Sequence, residues 1–273
     1  MKAGKYVLNL KEKTHIMGIL NTTPDSFSDG GRYDEAEAAV QHAAQMAADG
    51  AHIIDIGGES TRPGYTPVSV EEEISRTAPV IEAVSEAVHI PISIDTFKAR
   101  TAEKAIEAGA SIINDIWGAK REPDIAAVAA EKQVPIILMH NREKMNYTNF
   151  MRDCLNDLYE SITIAKKAGV PDDQIILDPG IGFAKTMEQN IEMLQNLERV
   201  VALGYPVLLG TSRKRVIDYV LDVPIGERME GTGATCCFGV QKGCRIMRVH
   251  DVKPVARMMK MMDALLGKEH KYG

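Results

Sequence analysis

The segment IPISIDTFKARTAEKAIEAGASIIND, residues 90–115, contains the structural unit from which the architecture of this chain can be predicted. It contains two short apolar runs of strand length, residues 90–94 and 111–113. The segment between them ends on Gly109, and glycine suits the left-handed position that follows a helix. A strand, a helix and a second strand in this order predict a β-α-β unit with parallel strands.

The same unit recurs along the whole chain. Segments of helical spacing separate the apolar runs, for example Leu194, Leu197 and Val201, which place apolar side chains on one face. Other helical segments end on a glycine, as at Gly50 and Gly169. The strand-sized runs cover residues 16–20, 53–56, 90–94, 111–113, 134–139, 175–177, 206–209 and 245–249.

About eight β-α units are the number that closes a (β/α)8 TIM barrel, and we predict one such α/β domain over residues 1–273. The alternative is an open doubly wound sheet. Against it, the first apolar run is followed by NTTPD, residues 21–25, and no G-x-G-x-x-G motif opens the next helix. The connections at residues 21–33 and 59–70 are long and polar, which indicates mobile loops above a site after strands 1 and 2.

Composition narrows the class of protein. The formal net charge of -6 argues against a nucleic-acid-binding protein, so a small-molecule partner is expected. The four cysteines form neither a C-x-x-C pair nor a metal-ligand pattern, which favours reduced thiols in the cytoplasm. The first ten residues lack the apolar segment of a signal peptide, and no run is long enough to span a bilayer.

Polar residues follow nearly every apolar run, where the active site of a barrel forms. Helix capping and turns would explain any one of them, but not all of them together. In chain order they are Asn21, Asp55, Glu59, Asp95, Asn114, Asp115, His140, Asp178, Thr211, Ser212, Lys214, Arg248 and His250.

These residues carry a resemblance to a known family. The segments NTTPDSFSDGG (residues 21–31) and DIGGESTRPG (residues 55–64) resemble the two signature loops of the dihydropteroate synthases. The stretches SIDT, IND, LMH, DPGIGF, GTSRK and RVHD, which start at residues 93, 113, 138, 178, 210 and 248, resemble the same family in the same order. The resemblance covers nearly the whole chain.

The resemblance implies a reaction between a dihydropterin diphosphate and p-aminobenzoate that releases pyrophosphate, through a dissociative mechanism with a pterin cation. It implies that Asp95, Asp178 and Lys214 are catalytic. Without it, a helix cap at Asp178 and a turn at Asn114 explain these two residues equally well. The pterin-binding residues that it implies are Asp95, Asn114, Met139, Asp178, Phe183 and Lys214.

The resemblance also assigns the other two parts of the substrates. Asn21 would be the protein ligand of Mg2+, and Arg215 departs from the family because many relatives have serine there. Arg248 and His250 have ordinary alternatives, an ion pair and a structural histidine. The implied diphosphate-binding residues are Asn21, Thr61, Arg62, Arg248 and His250. The implied p-aminobenzoate-binding residues are Phe27, Pro63, Phe183, Lys214 and Arg215.

Family members commonly form homodimers through late helices, and sulfonamides, which mimic p-aminobenzoate, inhibit them. The apolar segment 231–243 and the methionine-rich run 257–262 are most simply core-facing helices, although an exposed face there would suit a dimer. Two other functions remain open. One is a methyltetrahydrofolate-type methyltransferase, which would not need the diphosphate residues, and the other is a catalytically silent pterin-binding paralogue.

Overall fold

The computed structural model describes residues 1–22, 32–59 and 67–268. Within these ranges eight parallel strands lie side by side in the order β8-β7-β6-β5-β4-β3-β10-β9. Leu177 of β8 forms a parallel bridge with Val207, the residue directly before β9. This bridge joins the two ends of the row and closes the barrel. The predicted (β/α)8 barrel is therefore confirmed. The barrel strands are β3 (His15–Asn21), β4 (Ile53–Gly57), β5 (Ile92–Asp95), β6 (Ile112–Asp115), β7 (Ile136–Met139), β8 (Ile175–Asp178), β9 (Leu208–Leu209) and β10 (Ile246–Val249).

All eight predicted apolar runs lie on barrel strands, but three strands begin two residues later than predicted. Prolines explain the difference: Pro91, Pro135 and Pro206 stand just before the first paired residues of β5, β7 and β9. Proline has no N–H to donate to a neighbouring strand, so the regular ladder starts after it. Its carbonyl still accepts, as when Ile54 donates to Pro91 at 3.1 Å.

Helices connect the strands and cover the outside of the barrel. Ser69, Asn149 and Thr186 cap their helices by accepting a hydrogen bond from the backbone N–H three residues ahead. The predicted glycine after a helix is confirmed at Gly109, where φ is 119°. The helices are α1 (Arg32–Ala48), α2 (Val70–Ala87), α3 (Ala99–Glu107), α4 (Asp124–Lys132), α5 (Phe150–Lys167), α6 (Met187–Gln195), α7 (Leu197–Val201), α8 (Arg215–Leu221), α9 (Met229–Gln241) and α10 (Val252–Leu265).

The apolar spacing around Leu194 falls on two helices rather than one, because α6 ends at Gln195 and α7 starts at Leu197. Leu194 and Leu197 are nevertheless both buried on the same side. In the described part of the chain, no helix is both long and apolar enough to cross a membrane.

An N-terminal hairpin, which the sequence pattern does not predict, closes the bottom of the barrel. Strands β1 (Lys2–Ala3) and β2 (Tyr6–Val7) pair antiparallel. Ala3, Leu8 and Leu10 pack beneath a layer of inward-facing apolar side chains. This apolar floor fills the barrel interior at its amino end, which favours the other end as the place for a polar site. The layer comprises Met17, Ile53, Ile112, Ile137, Ile176, Leu208 and Ile246.

Candidate active site

The two-residue repeat of a strand decides which side chains enter the barrel. A side chain two residues after a floor residue points inward as well. Asp55 follows Ile53 in this way, and Arg248 follows Ile246. Asn114, Met139 and Asp178 likewise come two residues after the floor residues Ile112, Ile137 and Ile176. Each of these strands thus places one apolar side chain in the floor and another residue above it, in the mouth of the barrel.

Three of these side chains, Asp55, Asn114 and Arg248, form a connected group with Asp95, which is here called the mouth cluster. Arg248 donates from Nε to Asp55 Oδ2 at 2.7 Å and from a terminal nitrogen to Asp95 Oδ2 at 2.8 Å. Asn114 donates to the same Asp55 oxygen at 3.2 Å. Asp55 Oδ1 and Asp95 Oδ1 are buried and accept no hydrogen bond from any described residue. Buried acceptors are normally satisfied, so these two oxygens indicate a position for ligand donors.

Burial shapes the charges of this cluster. It raises the pKa of Asp95 to about 7, and the positive charge of Arg248 limits that rise. Burial alone would lower the pKa of Arg248, but Asp55 and Asp95 outweigh it and raise the value. The arginine is therefore a permanent cation held between two carboxylates.

Asp178 and Lys214 occupy another part of the mouth. Asp178 is buried, burial raises its pKa, and Lys214 opposes that shift. Burial lowers the pKa of Lys214 to about 8, against the attraction of Asp178. The Lys214 ammonium donates to the carbonyl of Ile181 and lies 4.8 Å from the centre of the Phe183 ring. A cation over an aromatic face leaves a flat surface suited to an aromatic ligand.

The structure describes three further residues that were predicted to bind substrate or metal, and four others lie outside the described part of the chain. His250 accepts or donates at 2.9 Å between Nδ1 and Ser212 Oγ, and its backbone N–H donates to the same hydroxyl at 3.1 Å. Asn21 is exposed at the carboxyl end of β3, and Arg215 is exposed at the first residue of α8. Phe27, Thr61, Arg62 and Pro63 fall outside the described residues, as do most of the two predicted mobile loops.

Two polar residues from the sequence analysis do not enter the mouth. Asp115 accepts backbone hydrogen bonds from Trp117 at 2.8 Å and Ala119 at 2.6 Å, so it shapes the turn after β6. His140 contacts Asp157 of α5, on the helix side of the barrel. Both immediately follow an inward residue, and the strand repeat turns them outward.

His140 belongs to a second polar group, here called the outer network: His140, Arg142, Asp157 and Lys185. Lys185 is buried and donates to His140 Nδ1 at 2.8 Å. His140 Nε2 lies 3.0 Å from Asp157 Oδ2, and Arg142 contacts both oxygens of that carboxylate at 2.5 and 3.2 Å.

Sequence reasoning gave no role to two groups that the structure places at or beside the site. Asp55 holds Arg248 and Asn114, and its position two residues after a floor residue was the signal for it. Lys98 is a buried cation that contacts Glu59, Glu73 at 2.8 Å and the carbonyl of Val68 at 2.8 Å. Through Glu59 and Val68, Lys98 restrains both ends of the second long connection. These residues are distant in sequence, and folding brings them together.

Comparisons with known proteins agree with this geometry. The family model described as "Pterin binding enzyme" matches residues 17–250. Dihydropteroate synthase of Bacillus subtilis is 62% identical over 261 residues, which are 96% of this chain and 92% of that protein.

Solved structures give the same result. Dihydropteroate synthase of Clostridium difficile, crystallised in the presence of pteroic acid, superposes with a TM-score of 0.93 at 45% identity, over 96% of this chain and 100% of that one. The Xanthomonas albilineans enzyme in complex with 7,8-dihydropteroate has a TM-score of 0.89 at 36% identity, over 97% and 98% of the two chains. The chain therefore belongs to the pterin-binding enzymes and, among them, to the dihydropteroate synthase family.

Proposed function

We propose that this chain condenses 6-hydroxymethyl-7,8-dihydropterin diphosphate with p-aminobenzoate, giving 7,8-dihydropteroate and pyrophosphate. The observation that carries the proposal is the pair of buried oxygens without a partner among the described residues, Asp55 Oδ1 and Asp95 Oδ1, in the mouth of a barrel of this family. A heterocycle with several N–H groups supplies the donors that such oxygens need.

The pterin would lie across the mouth with its amino group and adjacent ring N–H against Asp178. A carboxylate accepts both through two oxygens, and such charge-assisted bonds are the stronger kind. Asp95 and Asn114 would bind the remaining ring nitrogens. The amide nitrogen of Asn114 already donates to Asp55, which leaves its carbonyl oxygen for the ligand. Met139 and Phe183 would contact the ring faces.

The reaction begins with cleavage of the bond between the pterin methylene carbon and the diphosphate oxygen, and the electron pair leaves with that oxygen. Positive charge then spreads over the pterin, where Asp95 and Asp178 stabilise it electrostatically. The amine of p-aminobenzoate attacks the methylene with its lone pair and then passes a proton to the diphosphate. Asp95, Asp178 and Lys214 are the catalytic residues in this proposal.

The diphosphate would be held at the edge of the mouth by Arg248, His250, Asn21, Thr61 and Arg62. Asn21 suits Mg2+, because an amide oxygen is a hard ligand and this ion commonly takes few protein ligands beside water and phosphate. The exposed position of Asn21 at the end of β3 leaves room for both. Bound Mg2+ would neutralise part of the charge on the leaving group.

The second substrate would bind over Lys214 and Phe183. The aromatic ring of p-aminobenzoate fits the surface formed by the lysine and the Phe183 ring, whose centre is 4.8 Å from the ammonium. Phe27, Pro63 and Arg215 complete this pocket in the proposal, with the exposed Arg215 near the carboxylate. Sulfonamides would compete for the same place.

We also propose a cytoplasmic single-domain protein that forms a homodimer. Exposed apolar side chains on the late helices support the dimer: Val220 is 61% exposed on α8, and Met261 and Leu265 are 58% and 68% exposed on α10. The methionine-rich run is thus only partly core-facing, since Met259 is buried and Met261 is not.

A coupled assay tests the function. Purified protein is given the pterin diphosphate and Mg2+, and released pyrophosphate is measured with and without p-aminobenzoate. We expect release that depends on the amine, together with dihydropteroate identified by mass spectrometry. Methyl transfer from methyltetrahydrofolate to a corrinoid would support the methyltransferase instead, and pterin binding without any turnover would support a silent paralogue.

A further inference from the structure

We propose that Lys185 is a positioning residue that holds the segment between β8 and α6, residues 179–186, in the shape that both substrate pockets require. Lys185 lies in the outer network and touches neither Asp178 nor Lys214 through a hydrogen bond in the described part of the chain. The inference rests on the proposed function, because it concerns the pockets assigned there.

The contacts of Lys185 match the chemistry of its ammonium group. Nζ lies 2.8 Å from His140 Nδ1, 2.9 Å from the Gly180 carbonyl and 3.1 Å from the Phe183 carbonyl. A protonated lysine has three N–H donors and no acceptor, so three donors meet three acceptors. Burial lowers the pKa of Lys185 to about 7, so its charge is costly here unless its donors are paired, and in the protonated form all three of them are.

These bonds also decide the tautomer of His140. When Lys185 is protonated it can only donate, so Nδ1 of His140 accepts and the ring proton lies on Nε2. Nε2 then donates to Asp157 Oδ2 at 3.0 Å. Burial lowers the pKa of His140 to about 4, in agreement with a neutral ring. The lysine is thereby anchored to helix α5 through a fully paired chain.

The segment held by Lys185 carries the contacts that shape the pockets. Its Gly180 N–H donates to Asp178 Oδ1 at 2.7 Å, and its Ile181 carbonyl accepts from Lys214. Phe183 supplies the ring beside the Lys214 ammonium. Lys185 binds the carbonyls of Gly180 and Phe183, and Ile181 lies between these two residues in the chain. The lysine therefore also restrains Ile181, whose carbonyl accepts from Lys214.

The backbone approaches too closely here to be held loosely. At Gly180 φ is +68°, and a Cβ added there would lie 2.0 Å from the His140 carbonyl oxygen. Glycine is required by this contact, which means that the segment cannot shift toward β7. Loss of the lysine bonds would remove two of the contacts that keep the segment in this close packing.

The first test replaces Lys185 with methionine, which keeps most of the length of the side chain and removes its donors. We expect KM for both substrates to rise about tenfold, the effect of losing about 1.4 kcal/mol of binding. We expect kcat per folded molecule to change less. The matched control is Lys144→Met, an exposed lysine on the preceding connection, which should leave both constants unchanged. A purely structural role would lower the folded fraction, and hence apparent kcat, with KM unaltered; that result would overturn the proposal.

Two substitutions at His140 keep the test decisive if Lys185→Met does not fold. Asparagine places an acceptor near the position of Nδ1 and keeps a partner for Lys185. Glutamine reaches toward Asp157 and removes that partner. We expect His140→Gln to raise KM and His140→Asn to restore it toward the native value. Equal KM values in the two variants would contradict the proposal.

Hydrogen exchange separates this inference from the proposed function. Peptides covering residues 178–186 of the ligand-free protein should exchange faster in Lys185→Met than in Lys144→Met. That result would stand even if the native protein formed no dihydropteroate, in which case only the function would fail. Unchanged exchange in an active enzyme would overturn the positioning role alone.

Discussion

The mouth cluster and the outer network each combine an arginine with aspartate, but they differ in how their hydrogen-bonding groups are used. In the outer network each of the three Lys185 donors has an acceptor, and both nitrogens of His140 have a partner. In the mouth cluster Asp55 and Asp95 each keep one buried oxygen without a partner among the described residues. Complete pairing gives a rigid support, whereas incomplete pairing gives a binding site that a ligand completes.

The largest effect should come from breaking the mouth cluster at its centre. Arg248→Met leaves Asp55 and Asp95 buried without their cation, which should lower the free energy of unfolding by about 3–5 kcal/mol. Urea unfolding measures this loss. The control is Lys166→Met, which breaks an exposed pair with Asp172 at 3.0 Å and should cost less than about 1 kcal/mol. Equal losses in the two variants would show that the mouth cluster is not held by this ion pair.

The next effect concerns the ligand rather than the fold. Asp178→Ala removes the acceptor proposed for the pterin donor edge, and we expect the Kd for the pterin diphosphate to rise about 100-fold, or about 2–3 kcal/mol. Isothermal calorimetry compares it with Asp173→Ala, an exposed carboxylate close by in the chain. Native affinity in Asp178→Ala would remove this residue from the pterin site.

The sequence predicted the barrel because its signal is local and repeated. Each strand is a short apolar run, and Gly50, Gly109 and Gly169 all have the predicted positive φ. The hairpin of β1 and β2 was missed because two residues per strand give no periodicity, and its apolar residues are explained only by the barrel floor.

The candidate site was predicted less completely, since hydrogen-bond partners depend on distant parts of the chain. Asp55 and Arg248 are 193 residues apart, and the sequence around each residue does not indicate that the two interact. The two-residue repeat of a strand does indicate whether a side chain points into or out of the barrel. Counting in twos from a floor residue separates Asn114 from Asp115 and Met139 from His140, and it would have moved Asp115 and His140 out of the mouth.

Acid should act on the two groups in opposite directions. The pKa of Asp95 is raised to about 7 in the folded protein. As pH falls below 7, the folded protein therefore binds a proton before the unfolded chain does. This difference in proton binding favours the folded state. The pKa of His140 is lowered to about 4, so the unfolded chain is protonated first, and stability is lost between the ordinary histidine pKa and 4.

Unfolding of the native protein, Asp95→Asn and His140→Gln over the range from about pH 7 to about pH 4 tests this contrast. The stability difference between native protein and Asp95→Asn should move in favour of the native protein as pH falls. The difference from His140→Gln should move the other way. Each slope has an upper limit of about 1.4 kcal/mol per pH unit for one proton. Slopes of the same sign would mean that the two groups do not differ in the manner described.

The smallest effect should come from the edge of the outer network. Arg142→Lys keeps the charge but loses the two-point contact with Asp157, and its partly exposed position should limit the cost to about 0.5–1 kcal/mol. KM for both substrates should stay at the native value, because Asp157 still accepts from His140 and Lys185 keeps its three acceptors. Urea unfolding and steady-state kinetics on the same preparation give both quantities. A rise in KM here would mean that the support of residues 179–186 extends through Asp157 to Arg142, rather than ending at the neutral His140 ring.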